Sequence, residues 1–551
     1  MLDCHSNLHG NRGHERIPNA CVQGIKEPTL QVNRSEMLNR LLDRTQPWDM
    51  VVIGGGATGV GIAVDAASRG YEVLLLEQAD FGKGTSSRST KLVHGGVRYL
   101  EQGNLFLVME ALRERGILRQ NAPHLVSALP FVVPLYDWWE APLYGTGLKV
   151  YDILAWKRGF GSSQILSREE TLHRLPAVRK EGLRGGIVYY DGLFDDTRLL
   201  INLVQTAVEQ GATVVNYTQV IGLLKGSGGA VRGIKARDLE SGSEFSARAK
   251  VVINAAGPFA DEIRRLSDPG VAPMIKASQG VHLVFAHSFL SSQDAMLVPH
   301  TADRRLMFAI PWKGHILVGT TDTPLDKVRL EPTPLAGEID LILETAGRYL
   351  HTVPKREDVL SVFVGIRPLV GTHGSKSTSL LSRDHTVLID KSGLISIAGG
   401  KWTTYRRMAE DCVNQAAAFA RLREVPAKTE RLRIHGSDGS SAGSGRFAAY
   451  GTDAAAMEKL LLANPSLGEA LHPRLSYAGL EVLWATRVEM ARTVEDVLAR
   501  RTRALFLNAQ AAYEMAPRTA AIMARELGQG EAWQTGQVKA FQDLARGYMI
   551  R

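Results

Sequence analysis

Hydrophobic and polar positions along this chain switch repeatedly between a strand period and a helix period, and the changeovers divide it into regions. Residues 50–53 form an unbroken apolar run, as expected for a short strand covered on both faces. Small residues at Ala63, Ala66 and Ala67 continue a helix, and residues 71–76 read as a second buried strand ending at Glu77. Upstream, residues 1–34 are polar and without period, which predicts disorder. Ser35 is placed to cap a short helix with Met37, Leu38, Leu41 and Leu42 on one side, and Met37 is a candidate downstream start. Residues 105–120 predict a helix with Leu105, Val108, Met109, Leu112 and Ile117 on one face. A helix over 197–210 precedes a strand at 213–216, and residues 250–261 pair a buried strand with a small-residue turn. From 280 to 370 the pattern becomes short alternating strands with glycine turns, predicting a separate antiparallel sheet. Residues 394–420 read as strand, Gly-Gly turn and long helix. The polar stretch 421–446 reads as a linker, and helical patterning fills 447–551.

Between the first two strands, Gly54, Gly56 and Gly59 stand at G-x-G-x-x-G spacing. The first permits the tight turn, the second lets backbone approach a pyrophosphate, and the third lets helix and strand pack closely. The helix N-terminus attracts the negative charge, and Glu77, at the distance of roughly 20 residues that the fingerprint requires, can accept from a ribose 2′-OH. A bare glycine pattern is weak in a chain with 54 glycines; strand, helix and acid together make a dinucleotide site.

The remaining numbers narrow the class. A fraction of 44% hydrophobic and 22% charged residues in 551 describes an ordinary globular protein with room for two or three domains. The net charge of +8 and pI of about 9.3 favour anionic partners. There is no long Lys/Arg block, so nucleic acid is not expected. Cys4, Cys21 and Cys412 form no C-x-x-C pair, which argues against a disulfide framework, an iron–sulfur centre or structural zinc. No apolar run reaches the ~18 to 20 residues that span a bilayer, and the start has no secretory h-region. The expected location is cytoplasmic, peripheral on the cytoplasmic membrane. Residues 135–160 carry Trp138, Trp139, Tyr144, Tyr151, Trp156 and Phe160 beside Lys149, Lys157 and Arg158, a composition suited either to the headgroup layer of a membrane's inner face or to a packed helix pair.

A nucleotide-binding region assembled from separated pieces is the arrangement of α/β flavoproteins, in which an FAD-binding Rossmann-like domain of glutathione-reductase or D-amino-acid-oxidase type carries an inserted antiparallel-sheet substrate domain. Here a C-terminal helical domain follows. The expected divisions are a 1–47 extension, an FAD-binding domain from 48–115, 185–262 and 372–420, a substrate domain from 116–184 and 263–371, a linker at 421–446 and helices over 447–551. Seven motifs occur in order: VVIGGGATGVGIAVDAASRG, TSSRSTKLVHGGVRYLE, AAGPFAD, GVHLV, GIRPL, SRDHTV and GGKWTTYR. In these the chain resembles the FAD-dependent glycerol-3-phosphate dehydrogenases, of the single-chain, respiratory, quinone-linked kind. The resemblance implies hydride transfer from C2 of sn-glycerol 3-phosphate to FAD, giving dihydroxyacetone phosphate, with electrons passed to a membrane quinone. Members are often homodimers.

Such a site needs a flavin clamp, cations for a phosphate and a base for the 2-hydroxyl proton. For the clamp the resemblance adds Thr85, Ser86 and Ser87 at the pyrophosphate. His94, Gly95 and Gly96 lie against the isoalloxazine, and Ala256, Gly257, Gly399, Gly400, Lys401 and Thr403 close its far side. Lys401 or the adjoining helix would stabilise negative charge on the reduced ring. Arg367, then Arg98 and Arg383, are the phosphate candidates, because guanidinium matches phosphate oxygens with paired hydrogen bonds. His282 is the first choice of base, with His94, a water on Arg367 and Lys401 as competitors, and Tyr99 is a candidate hydrogen bond to substrate oxygen. The alternatives are a glycerol-3-phosphate oxidase using oxygen, an amine or amino-acid oxidase of the same fold, a multi-subunit anaerobic dehydrogenase and a non-catalytic flavin-binding sensor.

Overall fold

The computed structural model describes residues 32–96, 104–155, 159–298, 306–371, 385–439 and 445–550. Most of the polar leader therefore lies outside the described residues. Where description begins, the short helix is present at Arg34–Leu42 with Met37 and Leu41 buried, but Asn33 rather than Ser35 caps it, accepting from the amides of Ser35 and Glu36.

The apolar run becomes the strand Trp48–Ile53 at the centre of a largely parallel sheet. From one edge its order is His385–Ile389, Ile395–Gly399, Glu244–Asn254, Trp48–Ile53, Val73–Leu76 and Thr213–Val215. Only the edge strand His385–Ile389 runs antiparallel along this path. The strands Thr218–Lys225 and Val231–Asp238 extend the first half of Glu244–Asn254 as an antiparallel meander. Both faces of the parallel part are covered, which is why its strands are apolar throughout rather than alternating. The helix Ala57–Ser68 packs beside Asp196–Glu209 and Tyr405–Phe419, three segments far apart in sequence.

A second sheet of ten strands follows the order Thr323–Leu325, Ile275–Ala286, His315–Gly319, Met307–Trp312, Ala295–Val298, Val126–Leu135, Gly185–Phe194 and Leu92–Val93, with Ser361–Val370 and Gln164–Leu166 attached. Two expected boundaries change here. Residues 185–194 belong to this sheet and not to the nucleotide-binding one: Gly185–Phe194 pairs along its full length with Val126–Leu135. Its apolar pattern suits either sheet, and only pairing decides between them. The stretch 421–446 is also no free linker. Arg69 donates to Val425 O, Thr429 Oγ1 donates to the buried Asp65, and Ile434 N donates to Asn121 O, so backbone groups and the Thr429 hydroxyl pin residues 425–434 to neighbouring elements.

The C-terminal region is helical as expected, with Gly479–Val488, Ala509–Leu527 and Glu531–Arg546 as its main helices. Its apolar side merges with one face of the second sheet in a single core that includes Phe131, Trp312, Phe363, Phe506 and Phe541. Among the described residues no helix is long and apolar enough to cross a membrane.

Candidate active site

A cavity of about 750 Å³ runs between the two sheets. One end is lined by residues 218–221 with Glu77 and Gln78, the middle by Gly54, Gly56, Ala57 and residues 82–86, and the far end by His94, Gly96, residues 399–403, His282, residues 320–322 and Arg367. The lining joins a glycine turn and an acid suited to a dinucleotide with histidines, a lysine and an arginine suited to a second, small anionic ligand.

The glycine turn is built by close approach. Gly54 has φ +112°, and a Cβ there would lie 2.6 Å from Ala255 O. A Cβ on Gly59 would run into Gly54 O, so this residue serves helix–strand packing and does not line the cavity. Gly56 does line it and is the N-cap of Ala57–Ser68, a helix with no acidic side chain in its first turn and an N-terminus ready for an anion. Ser86 Oγ accepts from Ala57 N at 2.9 Å, and Trp402 Nε1 donates to Ser86 O at 2.9 Å, so the 85–87 turn ties this N-terminus to the last return of the chain. Thr85 Oγ1 donates to Ile366 O on the second sheet. Ser87 corrects its expected place: it is buried off the cavity, its carbonyl accepting from Lys91 Nζ and Arg503 Nη2.

Glu77 lines the cavity, and its two oxygens accept from Gly55 N at 2.7 Å and Ala79 N at 2.8 Å. Burial pushes its carboxyl up, against those amides, and each oxygen keeps a second lone pair for a sugar hydroxyl.

At the far end, Thr403 Oγ1 accepts from His94 N at 3.2 Å. His94 and Gly96 line the cavity, whereas Gly95 does not: its N–H donates to Tyr151 Oη and Asp191 Oδ1, so a role against the ring passes to its neighbours. Ala256 and Gly257 line the same cavity just before the helix Ala260–Ser267, as do Gly399, Gly400 and Lys401. Arg367 is held by four bonds, to Gln279 O, Asp322 Oδ1, Thr320 Oγ1 and Thr321 O at 3.3, 3.2, 3.2 and 2.9 Å. Arg98, Tyr99 and Arg383 lie outside the described residues.

His282 is nearly sealed. Its ring stacks on Phe363 at 4.9 Å, Nε2 meets Thr90 Oγ1 at 3.0 Å, and Nδ1 is buried without a hydrogen-bond partner among the described residues. Burial, with Lys91 and Arg367 nearby, holds its pKa well below the usual histidine range. An imidazolium would leave a buried N–H unpaired, so the neutral ring is the state the site supports.

Three groups escaped the sequence reading. Thr90 lines the cavity as the partner of His282. Asp191, also lining it, is paired to the buried Arg115. Lys91 is fully buried, donating to Ser87 O, Ser89 O and Asp196 Oδ2 at 3.0, 2.9 and 2.7 Å; three acceptors match the three N–H bonds of an ammonium. A charged residue inside an apolar strand pattern was the available signal for Asp191; nothing local marked Thr90 or Lys91, which stand in a polar run.

Known proteins are similar to this chain in sequence and in fold. Residues 49–406 match the FAD dependent oxidoreductase family, and residues 427–534 match the C-terminal domain of alpha-glycerophosphate oxidase. The mitochondrial glycerol-3-phosphate dehydrogenase of Mus musculus is 41% identical over 94% of this chain and 76% of its own length. That of Homo sapiens is 41% identical over 88% and 71%. Among solved structures, the glycerol-3-phosphate dehydrogenase from Bacillus halodurans complexed with FAD is 30% identical with a TM-score of 0.74, covering 94% of this chain and 97% of that one. The L-alpha-glycerophosphate oxidase from Mycoplasma pneumoniae with FAD bound, at 17% identity and a TM-score of 0.53 over 70% and 97%, shares the fold.

Proposed function

This chain belongs to the family of FAD-dependent glycerol-3-phosphate dehydrogenases, and from that premise we propose that it oxidises sn-glycerol 3-phosphate at C2 to dihydroxyacetone phosphate and delivers the electrons to a membrane quinone. The observation that carries this reading is the far end of the cavity, where the His94–Gly96 turn, Lys401 and the clamped Arg367 line one space.

FAD, when bound, supplies the two-electron acceptor for the hydride leaving C2. The residues around it hold and orient. Gly54 and Gly56 with the N-terminus of Ala57–Ser68 take the pyrophosphate, Glu77 the adenosine ribose, and Thr85 and Ser86 brace the turn. Gly96, Ala256, Gly257, Gly399, Gly400, Lys401 and Thr403 enclose the ring end, with Lys401 and the N-terminus of Tyr405–Phe419 offering positive potential there. Arg367 meets the substrate phosphate. Four protein acceptors take its Nη hydrogens and fix the guanidinium, so it meets the phosphate chiefly through its charge rather than through paired Nη hydrogen bonds, and less ordering is left for the moment of binding.

Burial separates the two candidate bases. His94 is half-buried on the cavity wall, while both nitrogens of His282 are engaged or sealed. We therefore give the 2-hydroxyl proton to His94, and give His282 with Thr90 the part of an uncharged hydrogen-bonding wall.

The quinone reading draws on the outer surface. Phe106, Trp138, Ile153 and Ile165 are 73%, 75%, 68% and 65% exposed on the neighbouring helices Leu105–Asn121 and Glu140–Ala155, the connection before the latter, and the strand Gln164–Leu166. Exposed aromatic and aliphatic groups clustered in this way suit shallow insertion into the inner face of a membrane.

Anaerobic addition of glycerol 3-phosphate to the FAD-loaded protein on lipid vesicles tests the reading: the flavin colour bleaches, and a quinone analogue restores it. Unbleached flavin would sink the substrate assignment, and recovery with oxygen alone would replace the quinone. Arg367→Ala should raise the KM for glycerol 3-phosphate by about 10- to 100-fold, the loss expected for one charge-assisted pair. A variant with unchanged KM and reduced FAD content would move Arg367 to the cofactor.

A further inference from the structure

Gly95 sits between the two cavity-lining residues of its turn without lining the cavity itself, although Asp191, one of the two groups that hold it, reaches the cavity wall. Its N–H donates to Tyr151 Oη at 2.9 Å and to Asp191 Oδ1 at 3.2 Å. Tyr151 Oη lies 3.0 Å from each oxygen of Asp191, and Arg115 pairs with Asp191 while donating to Tyr190 O. All of these groups are nearly sealed from solvent: Arg115 is 1%, Tyr151 2% and Asp191 3% exposed. Burial, with Asp191 beside it, raises the Tyr151 hydroxyl well above its ordinary range, so it stays protonated, donating to Asp191 and accepting from Gly95. A Cβ at 95 would lie 2.4 Å from Tyr151 Oη and 2.5 Å from Leu112 Cδ2, so any larger residue must move the turn or those side-chain ends. The turn is therefore gripped from behind by side chains drawn from three separated elements, Leu105–Asn121, Glu140–Ala155 and Gly185–Phe194. A buried ion pair with its own hydroxyl is more apparatus than a packed turn needs, since apolar residues of similar volume would fill the same space at no greater cost.

We propose that Tyr151, seated on the Arg115–Asp191 pair, is a positioning residue for the reaction: it sets the height of the His94–Gly96 turn over the ring end of the cavity, and through it the reach of His94 to the substrate hydroxyl. This rests on the assignment of His94 as proton acceptor. Removing the Tyr151 oxygen leaves Gly95 N–H with only its longer bond to Asp191, so the turn relaxes without losing its packing.

The test is a double-mutant cycle on the FAD-loaded full chain. Tyr151→Phe should lower kcat about tenfold, as a small misplacement of a reacting group does, with the KM for glycerol 3-phosphate and FAD content little changed. His94→Gln should lower kcat about 100-fold or more, the contribution of a general base. If Tyr151 acts through His94, the double variant is no slower than His94→Gln alone. Wild-type turnover in Tyr151→Phe overturns the proposal, as does a double variant slowed by the product of the two single effects. Should His94→Gln keep full turnover, the acceptor assignment falls, and Tyr151 is judged on the flavin absorbance band, which Tyr151→Phe should shift through Gly96 and which stays unmoved if the role is structural only. Should Tyr151→Phe not fold, Gly95→Ala displaces the same turn from its other side, with the same split between kcat and KM expected and unchanged kcat again overturning.

Discussion

Two regions that meet near residue 80 handle buried charge in opposite ways. In the turn after Trp48–Ile53, side chains are removed: Gly54 and Gly56 clear the backbone, and the N-terminus of Ala57–Ser68 carries no acidic side chain in its first turn, which leaves its N–H groups to an anion. Just beyond, where the first domain meets the C-terminal helices, charges are added and paired. Asp80, fully buried, accepts from Arg500 and from both Nη atoms of Arg501. Arg198 pairs with Glu489, and Arg503 reaches Asp196 at 3.3 Å beside Lys91. Burial alone would raise the Asp80 carboxyl, but Arg501 and Arg500 hold it below the usual range, so it stays ionised. The first region presents donors to a ligand, whereas the second pairs its charges within the protein, leaving only Glu489 Oε2, Arg501 Nε and Arg503 Nε of these side chains' buried polar atoms without a hydrogen bond among the described residues.

The contrast predicts failures of different kinds. The largest is in the glycine turn. Gly54→Val places a branched side chain at φ +112° against Ala255 O and should abolish FAD binding altogether, read as absence of flavin colour in the purified protein. Retained flavin would mean that the turn tolerates what its geometry forbids. Next comes the seam. Asp80→Ala leaves Arg501 with Glu489 as its nearest carboxylate, at 3.6 Å, while Arg500 keeps Glu495 and Asp496; breaking this buried pair should cost about 3 kcal/mol of stability, with the folded fraction still holding FAD. Loss of flavin with unchanged stability would erase the distinction between the two regions.

The smallest effect sharpens the comparison through pH. In His435, burial alone would lower the pKa, but hydrogen bonds to Asp453 and Glu209, at 3.0 and 2.5 Å, carry it up to about 9. A folded-state value above the unfolded one stabilises fully below the unfolded pKa, near 6.5, and is lost as pH rises through 9. Thermal melts should therefore fall between about pH 6.5 and 9 and level off above that, and the difference should shrink in His435→Gln. Equal slopes in the two proteins would remove His435 from the set of charges pinning the 421–446 stretch.

How much of this was legible depended on range. The strands flanking Gly54, the alternation over 280–370 and the helical end were readable because each depends on periodicity within a dozen residues. Arg367 and His94 were marked by motifs, and both line the cavity. Ser87, Gly95 and residues 185–194 were misplaced for one reason: each sits in a correct local pattern whose facing direction or pairing partner comes from elsewhere. His282 read as an available base because its strand gives no hint of Phe363 and Thr90 closing over it.

The chain by itself determined a dinucleotide turn, a second antiparallel sheet and the residue types that FAD and a phosphorylated alcohol require, since glycine spacing and side-chain period act between neighbours. Tertiary structure alone decided which side chains face the cavity and which buried charges are matched. The Asp80–Arg500 pair spans 420 residues and that of Lys91 and Asp196 spans 105. No local pattern encodes such a match, because a buried charge is stable only when the rest of the fold brings its partner to it.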